Sequence, residues 1–589
     1  VQVVIHFHKM SRCHVKKKLA IICILAVVLL LILLFVLLPI EESHSDVIEP
    51  LSPSGSLLGI YKKFAISADS GKCAEIGGIF LNNSRASVVD AAVASILCTG
   101  VANPHSAGIG GGFLMLYYNK SEGQMYMFDA REAAPKMATE NMFVGKPSAA
   151  RYGGLAVAVP GEVRGLHHVH SKFGQLSWKE VLEPIIKLCE DGVEVSKSLK
   201  DAMDQKLELI KKEPSIREIF YNEEEGQVYG IGELIRRPAL AKTLRVIANE
   251  PDALYSGSLA EDFLSDLKDF GSIITKEDLA DYTVKERPTI QYTLLDRFTL
   301  HSAFSPGSGA ILGTILKLFE KTHRTSDDLG YHQFTESMKF AYAKRSLMGD
   351  PDFVDIHEIL TNLTSEEYLD EMALKIKDDR TFNDPAYYGG EFVAREDRGT
   401  SHLSLLSSNG DAVAITSTIN GYFGAMIRSR KTGIILNNEM DDFSTPGLTN
   451  QFNLPPAKNN FIAPGKRPFS SMAPTIILEG PDVRMVTGAA GGSRITSATA
   501  FVIAQNIFLG KSIKRSTDEA RIHHQLLPME ITYEYGLLEN YVSSLRQKGH
   551  RLRRATSMDD KAVVCSLTVE SRFIYANSDF RKGGNVTGE

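Results

Sequence analysis

The most apolar stretch of the chain runs from Leu19 to Leu38 and contains no charged residue, proline or glycine. As a helix that rises about 1.5 Å per residue, this stretch would measure roughly 30 Å, which is the thickness of the hydrocarbon core of a bilayer. A helix that is apolar on every face has no polar side to turn toward water. The pattern therefore predicts that residues 19–38 form a transmembrane helix.

Charged residues on either side of this stretch predict its orientation. Arg12 and Lys16–Lys18 precede it, whereas acidic residues follow it. Because basic residues are enriched on the cytosolic side, residues 1–18 would be a cytosolic tail and the rest extracellular. The stretch is longer than the apolar part of a signal peptide, and no small-residue cleavage site follows it. We expect an uncleaved signal-anchor in a single-pass type II protein of the plasma membrane, with Met10 as a candidate start.

Beyond the anchor, the spacing of apolar residues changes twice. Residues 39–59 are rich in serine, proline and acidic residues, and they are predicted to form a stalk. Ser87–Thr99 has apolar residues at helical spacing, which predicts a buried helix. Segments 178–250 and 310–380 combine apolar faces with many charges and predict amphipathic helices.

The second half of the chain predicts strands as well as helices. His402–Ile419 contains two alternating strands joined by the polar turn Ser407–Gly410, which is typical of a β-hairpin. Arg484–Gly510 predicts a strand, a glycine turn and a helix. Strands covered by helices would form a layered α/β domain. The glycine-rich segment Pro104–Gly112 lacks the spacing of a dinucleotide-binding loop and precedes a strand, so we expect a tight helix-to-strand turn.

Composition narrows the classes of function. Apolar residues make up 43% of the chain and charged residues 23%, with a net charge of −6, as in an ordinary globular protein. No basic stripe lies beyond the N-terminus, so we expect no nucleic-acid partner. No cysteine or histidine cluster has the spacing of zinc ligands, so no metal site is predicted.

Cysteines and glycosylation sequons bear on the compartment. Cys73 and Cys98 lie near the two ends of one predicted helical region and would form a disulfide if this part is extracellular. Four free buried thiols are the alternative. Four asparagines begin N-x-S/T sequons and would carry glycans on an extracellular domain: Asn82, Asn119, Asn362 and Asn585.

Several motifs follow one another in the C-terminal part of the chain. Gly399 and Thr400 stand at the start of the predicted hairpin, and the later motifs are T-I-N-G-Y from Thr418, N-N-E-M-D-D from Asn437, Ser470-Ser471 and Gly491-Gly492. With D-A-R-E from Asp129 and the C-terminal S-D-F-R-K-G-G, they closely resemble γ-glutamyltransferases. The resemblance runs from about residue 60 to the C-terminus, and the plasma-membrane, glutathione-degrading type is the nearest match.

This resemblance implies a four-layer αββα N-terminal-nucleophile (Ntn) hydrolase fold. It also implies that the precursor is cut between Gly399 and Thr400 into a large chain, residues 60–399, and a small chain, residues 400–589, which together form a heterodimer. The Thr400 hydroxyl can attack the preceding carbonyl, and Gly399 puts no side chain in its way. The freed α-amino group, with a pKa of about 8, can then act as the base for that hydroxyl.

The resemblance also assigns roles to the site residues. The γ-glutamyl group carries an α-carboxylate and an α-ammonium, so its site needs both donors and acceptors. Arg131, Ser470 and Ser471 would bind the carboxylate, and Asn420, Glu439 and Asp442 the ammonium. Thr418 would orient the nucleophile, Tyr422 would wall the pocket, and the N–H groups of Gly491 and Gly492 would form an oxyanion hole. His402 is expected to be structural, because the amine supplies the base.

The expected reaction moves the γ-glutamyl group of glutathione or its S-conjugates onto Thr400 as an ester, and then to water, an amino acid or a dipeptide. This chemistry needs no metal ion or organic cofactor. Two alternatives stay open. One is a hydrolase of the same fold specific for leukotriene conjugates, against which the intact Glu439 and Asp442 argue. The other is an inactive surface protein, which a missing nucleophile or pocket charge would have favoured.

Overall fold

A computed structural model describes residues 54–322, 325, 327–390, 399–447, 455–556 and 561–589. The predicted cytosolic tail, the transmembrane helix 19–38 and most of the stalk lie outside these residues. Within the described ranges, no helix has the length and apolarity needed to cross a membrane.

Twenty-one strands are described, of which fourteen build the two main sheets. In chain order they are β1 (Leu58–Tyr61), β2 (Ala65–Ala68), β3 (Gly112–Asn119), β4 (Gln124–Ala130), β5 (Val193–Glu194), β6 (Tyr221–Asn222), β7 (Gln227–Val228), β8 (Leu234–Ile235), β9 (Lys285–Arg287), β10 (Thr289–Leu294), β11 (Phe298–Ala303), β12 (Ser401–Leu406), β13 (Ala412–Thr418), β14 (Thr475–Glu479), β15 (Asp482–Ala490), β16 (Ile522–His523), β17 (Ile531–Tyr533), β18 (Leu552–Arg554), β19 (Val563–Glu570), β20 (Phe573–Ser578) and β21 (Asn585–Gly588).

The helices connect these strands and are most frequent in the regions predicted to be helical. They are Gly71–Leu81, Val88–Ala102, Glu162–Phe173, Trp178–Asp191, Lys197–Gln205, Leu207–Lys212, Pro214–Phe220, Pro238–Asn249, Ala260–Asp269, Lys276–Asp281, Gly309–Thr322, Asp328–Arg345, His357–Thr364, Glu366–Ala373, Arg494–Ile503, Ile513–Asp518 and Glu539–Gln547.

Two seven-stranded sheets form the centre of the fold. One has the strand order β1-β20-β19-β15-β14-β11-β10, and the other has the order β21-β2-β12-β13-β3-β4-β9, each antiparallel throughout. β12 and β13 pack against β15 of the other sheet, and helices cover both outer faces, among them Val88–Ala102 on one side and Gly309–Thr322 on the other. The described residues therefore form four layers, αββα.

The hairpin β12–β13 confirms the predicted strands and turn, with Ser401 opposite Ser417 and Leu406 opposite Ala412. All residues of both strands are buried, so neither face of this hairpin is exposed to solvent. The alternating side chains face the helices on one side and the second sheet on the other. Leu403 belongs to the apolar core beneath the helices of its sheet. The Ser404 hydroxyl turns the other way and donates to the Cys565 carbonyl of the second sheet at 2.9 Å.

Helix Val88–Ala102 is buried at every residue, as its sequence predicted. It begins at a capping box made by Ser87 and Asp90, which satisfies backbone N–H groups of the first turn. Cys98 in this helix is bonded to Cys73 in helix Gly71–Leu81. The predicted disulfide is thus present, and Cys189 and Cys565 are buried free thiols.

Candidate active site

The register of the β12–β13 hairpin determines where the predicted nucleophile, Thr400, lies. Because Ser401 pairs with Ser417, the residues one position outward, Thr400 and Thr418, come to lie side by side. The Thr400 hydroxyl donates to the Thr418 hydroxyl with 3.2 Å between the oxygens. Thr418 Oγ1 also accepts from the Asn420 N–H at 2.8 Å, so this oxygen is fixed from the chain that follows it. These hydrogen bonds fit the predicted role of Thr418 in orienting Thr400, and that role stays a prediction.

The backbone before the nucleophile is held in an unusual conformation. Thr400 has φ of +100° and Gly399 has φ of +109°. A β-branched residue at positive φ is strained, and such strain persists only where the surroundings impose it. Here the Thr400 N–H donates to the Ser106 carbonyl at 3.3 Å, and the Ile419 N–H donates to the same oxygen at 3.2 Å. A Cβ on Gly399 would lie 1.9 Å from the Asn420 carbonyl oxygen, so only glycine fits there.

The glycine-rich segment 104–112 thus does more than turn the chain from helix to strand. Its Ser106 carbonyl accepts hydrogen bonds from Thr400 and Ile419 at the ends of the hairpin. Its glycines pack against the hairpin too closely to leave room for side chains. A Cβ on Gly111 would lie 2.0 Å from the Thr418 carbonyl oxygen. The glycines are evident in the sequence, but no local pattern indicates the long-range contact of Ser106 with Thr400.

Arg131 lies directly after β4 and is fully buried. Its Nη1 is 2.6 Å from Glu439 Oε1, and its Nη2 contacts Asp442 Oδ2. The Nε–H donates to the Pro468 carbonyl at 2.7 Å. The resemblance assigned Arg131 to one end of the substrate and the two acids to the other. The structure brings all three together as one ion-paired cluster within a short 3₁₀ turn, Glu439–Asp442, and the strand end opposite it.

Ser470 and Ser471 lie on the same loop as Pro468, whose carbonyl accepts the hydrogen bond from Arg131. The Ser470 carbonyl accepts from the Ser308 hydroxyl at 2.6 Å, and the Ser470 hydroxyl accepts from the Met472 N–H at 3.2 Å. Arg345 Nη2 donates to the Ser471 hydroxyl at 3.0 Å. Both serines are buried. Arg345 is a second arginine of this region that motif reasoning missed, because it lies in helix Asp328–Arg345, far from any of the motifs.

Gly491 and Gly492 form the turn between β15 and helix Arg494–Ile503, with φ of +125° and +62°. A Cβ on Gly491 would lie 2.8 Å from the Ala562 Cα. β15 packs over the nucleophile strand, so closely at Gly488 that a Cβ there would lie 2.3 Å from the His402 ring. The fold thus brings this turn to the sheet end where Thr400 lies, and its role as an oxyanion hole stays a prediction.

Lys582 is a site residue that the sequence analysis did not single out, although it lies in the C-terminal S-D-F-R-K-G-G motif. Its Nζ is 2.8 Å from the Thr400 carbonyl, 2.7 Å from Asp69 Oδ2 and 3.1 Å from the Ser401 hydroxyl. Burial and the nearby Lys582 charge hold the pKa of His105 well below its usual value. A buried cation therefore stands beside the residue predicted to become the N-terminus.

Two buried carboxyl groups, those of Glu132 and Glu162, lie close to Arg131 and to β13 respectively. Burial raises the pKa of Glu132 and of Glu162 to about 8, so both are mainly protonated at neutral pH. Glu132 Oε2 is 3.9 Å from Arg131 Nη1, and Glu162 Oε2 accepts from the Ser417 hydroxyl at 2.5 Å. Burial also lowers the pKa of His402 to about 3. Neutral His402 contacts the hydroxyls of Thr416 and Ser404, which agrees with a structural role.

Asn420 and Tyr422 line an open cavity of about 320 Å³. The Asn420 side-chain amide donates to the Asn438 carbonyl at 3.0 Å, and the Tyr422 ring packs edge-on against His105 with centroids 5.6 Å apart. Tyr422 thus lines this cavity, and its role as a wall of the substrate pocket stays a prediction. The assignment of Asn420 to the substrate ammonium stays a prediction.

One cluster outside this site has the composition of a metal centre: His332, Glu336 and His550. His332 Nδ1 and His550 Nε2 are hydrogen-bonded to each other at 2.7 Å, and Glu336 is paired with Lys339 Nζ at 3.2 Å. Tyr388 donates a further hydrogen bond to Glu336. Because a lysine already neutralises the carboxylate, these groups are satisfied by one another, and we assign no metal to them.

Comparison with known proteins places the chain. The family model for gamma-glutamyltranspeptidase matches residues 73–589. Scoloptoxin SSD14 of Scolopendra dehaani is 40% identical over 93% of this chain and 96% of its own length. Glutathione hydrolase proenzyme 1 of Schizosaccharomyces pombe is 36% identical over 90% of this chain and 82% of its own.

Among solved structures, a cephalosporin acylase from Bacillus halodurans superposes with a TM-score of 0.79 at 21% identity, covering 92% of this chain and 99% of its own. At that identity the likeness concerns the fold, and it agrees with the four layers described above. The match of the family model across nearly the whole described domain, with relatives at 36–40% identity, is decisive. The chain belongs to the gamma-glutamyltranspeptidase family and is a γ-glutamyltransferase or hydrolase.

Proposed function

We propose that the chain cuts itself between Gly399 and Thr400 and then uses Thr400 as the nucleophile for γ-glutamyl transfer. The backbone at Thr400 carries this proposal. A strained β-branched residue with φ of +100° precedes a strand, and its hydroxyl is fixed at 3.2 Å from Thr418 Oγ1. Attack of Thr400 Oγ1 on the Gly399 carbonyl, followed by hydrolysis of the resulting ester, would release this strain together with a free α-amine. The word proenzyme in the name of the Schizosaccharomyces pombe relative supports such processing.

In the mature enzyme, the α-amino group of Thr400 would take the hydroxyl proton as Oγ1 attacks the γ-carbonyl of the substrate. The oxyanion would meet the N–H groups of Gly491 and Gly492. The leaving amine takes the proton, and the γ-glutamyl ester stays on Thr400. Water or an acceptor amine then attacks the ester, which restores the free hydroxyl.

The Arg131 cluster suggests how the γ-glutamyl zwitterion is recognised. Arg131 is paired with Glu439 and Asp442. An α-carboxylate entering beside Arg131 and an α-ammonium beside the two acids would exchange one set of ion pairs for another of equal charge. Burial of these groups makes such exchange selective, because an uncharged ligand would give no compensation for separating them.

Glutathione is the substrate that we propose, with its S-conjugates as further donors, and Cys-Gly or its conjugate as the leaving group. We also propose that the domain is extracellular, anchored in the plasma membrane by residues 19–38. The disulfide between Cys73 and Cys98 supports an oxidising compartment. Of the sequon asparagines, Asn82 and Asn585 are exposed, and Asn119 and Asn362 are partly exposed, so glycans are compatible with all four positions.

The test is a denaturing gel and N-terminal sequencing of the expressed protein, with γ-glutamyl-p-nitroanilide hydrolysis measured on the same sample. We expect two chains, the smaller beginning Thr-Ser-His-Leu, and release of p-nitroaniline. Thr400→Ala should give one uncut chain without activity. A Thr400→Ala protein that is still cut at the same bond would show that the nucleophile is misassigned.

A further inference from the structure

Arg467 is a buried arginine that the reaction described above does not use. It stands directly before Pro468, whose carbonyl accepts the hydrogen bond from Arg131. The same loop continues to Ser470 and Ser471. After the proposed cut, Arg467 and the two serines would belong to the small chain, whereas Arg131 would belong to the large chain. The contacts of Arg467 therefore bear on how groups from the two chains are held together.

The Arg467 guanidinium binds the end of β4. Its Nη1 is 2.6 Å from Asp129 Oδ1 and also donates to the Asp129 carbonyl at 2.6 Å. Its Nη2 donates to the Thr283 carbonyl at 2.5 Å. The second oxygen of the same carboxylate, Asp129 Oδ2, is 2.8 Å from Arg287 Nε. A fully buried carboxylate thus lies between two arginines, and such an arrangement is costly to break from either side.

Asp129 and Tyr282 transmit the position of Arg467 to the backbone of Arg131. The Arg131 N–H donates to Asp129 Oδ1 at 3.0 Å, and the Tyr282 hydroxyl donates to the Arg131 carbonyl at 2.9 Å. Burial raises the pKa of Tyr282, so its hydroxyl keeps the proton that it donates. The Arg467 guanidinium carbon lies 5.4 Å from the centre of the Tyr282 ring, within the range of a cation–π contact. Both polar backbone groups of Arg131 are therefore fixed by residues that Arg467 contacts.

Asp350 connects the backbone of Arg467 to the same network. Its Oδ2 accepts from the Arg467 N–H at 2.9 Å, and its Oδ1 is 3.3 Å from Arg287 Nη2. Together with Asp129, these residues form a closed ring of contacts in which no side chain is more than 7% exposed. A buried network of this kind fixes its geometry, because each charge depends on the others for compensation. The loop at residue 467 and the end of β4 therefore cannot move independently.

We propose that Arg467 is a positioning residue, which sets the distance between the Arg131 guanidinium and the two serine hydroxyls. The inference rests on the proposed function, in which Arg131, Ser470 and Ser471 bind the α-carboxylate of the γ-glutamyl donor. Arg467 acts through these groups, because its own guanidinium is bound to the end of β4. A shift of the loop relative to β4 would weaken binding of the α-carboxylate, while Thr400 would stay in place in its hairpin.

The test compares two donors that differ only in the α-carboxylate, γ-glutamyl-p-nitroanilide and 4-aminobutyryl-p-nitroanilide. For the wild-type enzyme we expect kcat/KM to be about a hundredfold higher for the first donor, as charge-assisted hydrogen bonds to a carboxylate predict. In Arg467→Met this preference should fall to about tenfold, through a higher KM for the γ-glutamyl donor at a nearly unchanged kcat. Arg467→Lys keeps a charge beside Asp129 and should give an intermediate preference.

Arg237→Met is the matched control. Arg237 is also buried and also donates to two backbone carbonyls, those of Gly100 and Gly433, which lie outside the ring that contains Asp129. Its loss should lower the melting temperature and leave the donor preference at the wild-type value. A denaturing gel of every variant shows whether the cut before Thr400 still occurs, which reports on the nucleophile separately from the carboxylate site.

A wild-type donor preference in both Arg467 variants would overturn the inference, as would an equal fall of the preference in Arg237→Met or a wild-type enzyme that does not distinguish the two donors. If Arg467→Met is not cut, Arg467→Lys decides alone, and a wild-type preference there overturns the inference. Each of these results leaves the proposed self-cleavage and transfer intact. A wild-type protein that is not cut, or that releases no p-nitroaniline, would contradict the proposed function, and this inference with it.

Discussion

Arg131 and Glu439 form a buried ion pair, with 2.6 Å between Nη1 and Oε1 and almost no exposure of either side chain. Asp442 contacts the other end of the same guanidinium. Buried pairs of this kind are costly to break, because removing one partner leaves an uncompensated charge. We therefore expect this pair to exchange at low cost only with a ligand that carries both charges, such as the proposed γ-glutamyl group.

Replacing Arg131 with lysine should keep the charge but lose the fork of donors. We expect Arg131→Lys to raise the KM for the γ-glutamyl donor by about tenfold or more, because an ammonium cannot bind the α-carboxylate with two parallel hydrogen bonds as a guanidinium can. Steady-state kinetics with γ-glutamyl-p-nitroanilide measure this. Arg85→Lys, at an exposed arginine paired with Glu180, is the control and should behave as wild type. An unchanged KM in Arg131→Lys would remove Arg131 from substrate binding.

Self-cleavage should depend on residue 399 being a glycine, which has no side chain. In Gly399→Ala the added Cβ would clash with the Asn420 carbonyl and move the scissile bond away from Thr400 Oγ1. We expect cleavage to be slowed by about tenfold or more, which a time course on denaturing gels would record. Gly480→Ala shares a positive φ of +58° but has no atom within 4 Å of its added Cβ, so it should be cut normally. Equal cleavage rates in both variants would contradict the steric explanation.

Lys582 should lower the pKa of the Thr400 α-amino group, which is the proposed base of the reaction. A cation beside the Thr400 carbonyl disfavours a second positive charge on the α-amino group and so lowers the pKa of that amine. In Lys582→Met the amine should hold its proton to higher pH, and the acid limb of the kcat/KM profile should move up by roughly one pH unit. Lys582→Arg, which keeps the charge, should restore most of the wild-type profile. A Lys582→Met enzyme with reduced activity but an unmoved profile would indicate a purely structural residue.

The buried carboxyl of Glu162 should make stability depend on pH. Its pKa is about 8 in the folded protein, whereas a glutamate in the unfolded chain ionises near pH 4.3, at about its ordinary pKa. The folded state therefore binds the extra proton between these values, and stability decreases as pH rises from about 4.3 to about 8. In Glu162→Gln this loss should be smaller, as melting temperatures at pH 5 and pH 8 would show. Glu358→Gln, at an exposed glutamate, should lose as much stability as wild type.

Local patterns were enough to predict the hairpin that follows Thr400. The turn residues Ser407–Gly410 determine the register of β12 and β13, and that register puts Thr400 beside Thr418. The buried helix Val88–Ala102 followed equally from its apolar residues. These features depend on neighbours in sequence, which a single chain reveals directly.

Contacts over long separations were not predictable in this way. Arg131 and Asp442 are 311 positions apart, and motif resemblance placed them at opposite ends of a substrate rather than in contact. Lys582 reaches Thr400 across 182 positions. Nothing near Lys582 in the sequence indicates which backbone carbonyl its ammonium will meet, because that depends on how the two sheets stack. These pairs are apparent only in the folded structure of the described residues.

Both central sheets contain strands from before and from after Thr400. β12 lies between β2 and β13, β13 pairs with β3, β14 with β11, and β20 with β1. A cut before Thr400 would therefore leave two polypeptides woven through each other, neither of which retains a complete sheet. Dilution could not separate them, and heat should melt them together in one cooperative step. Two halves produced as separate chains would have to assemble their sheets jointly, so covalent continuity matters for reaching the fold and hardly at all for keeping it.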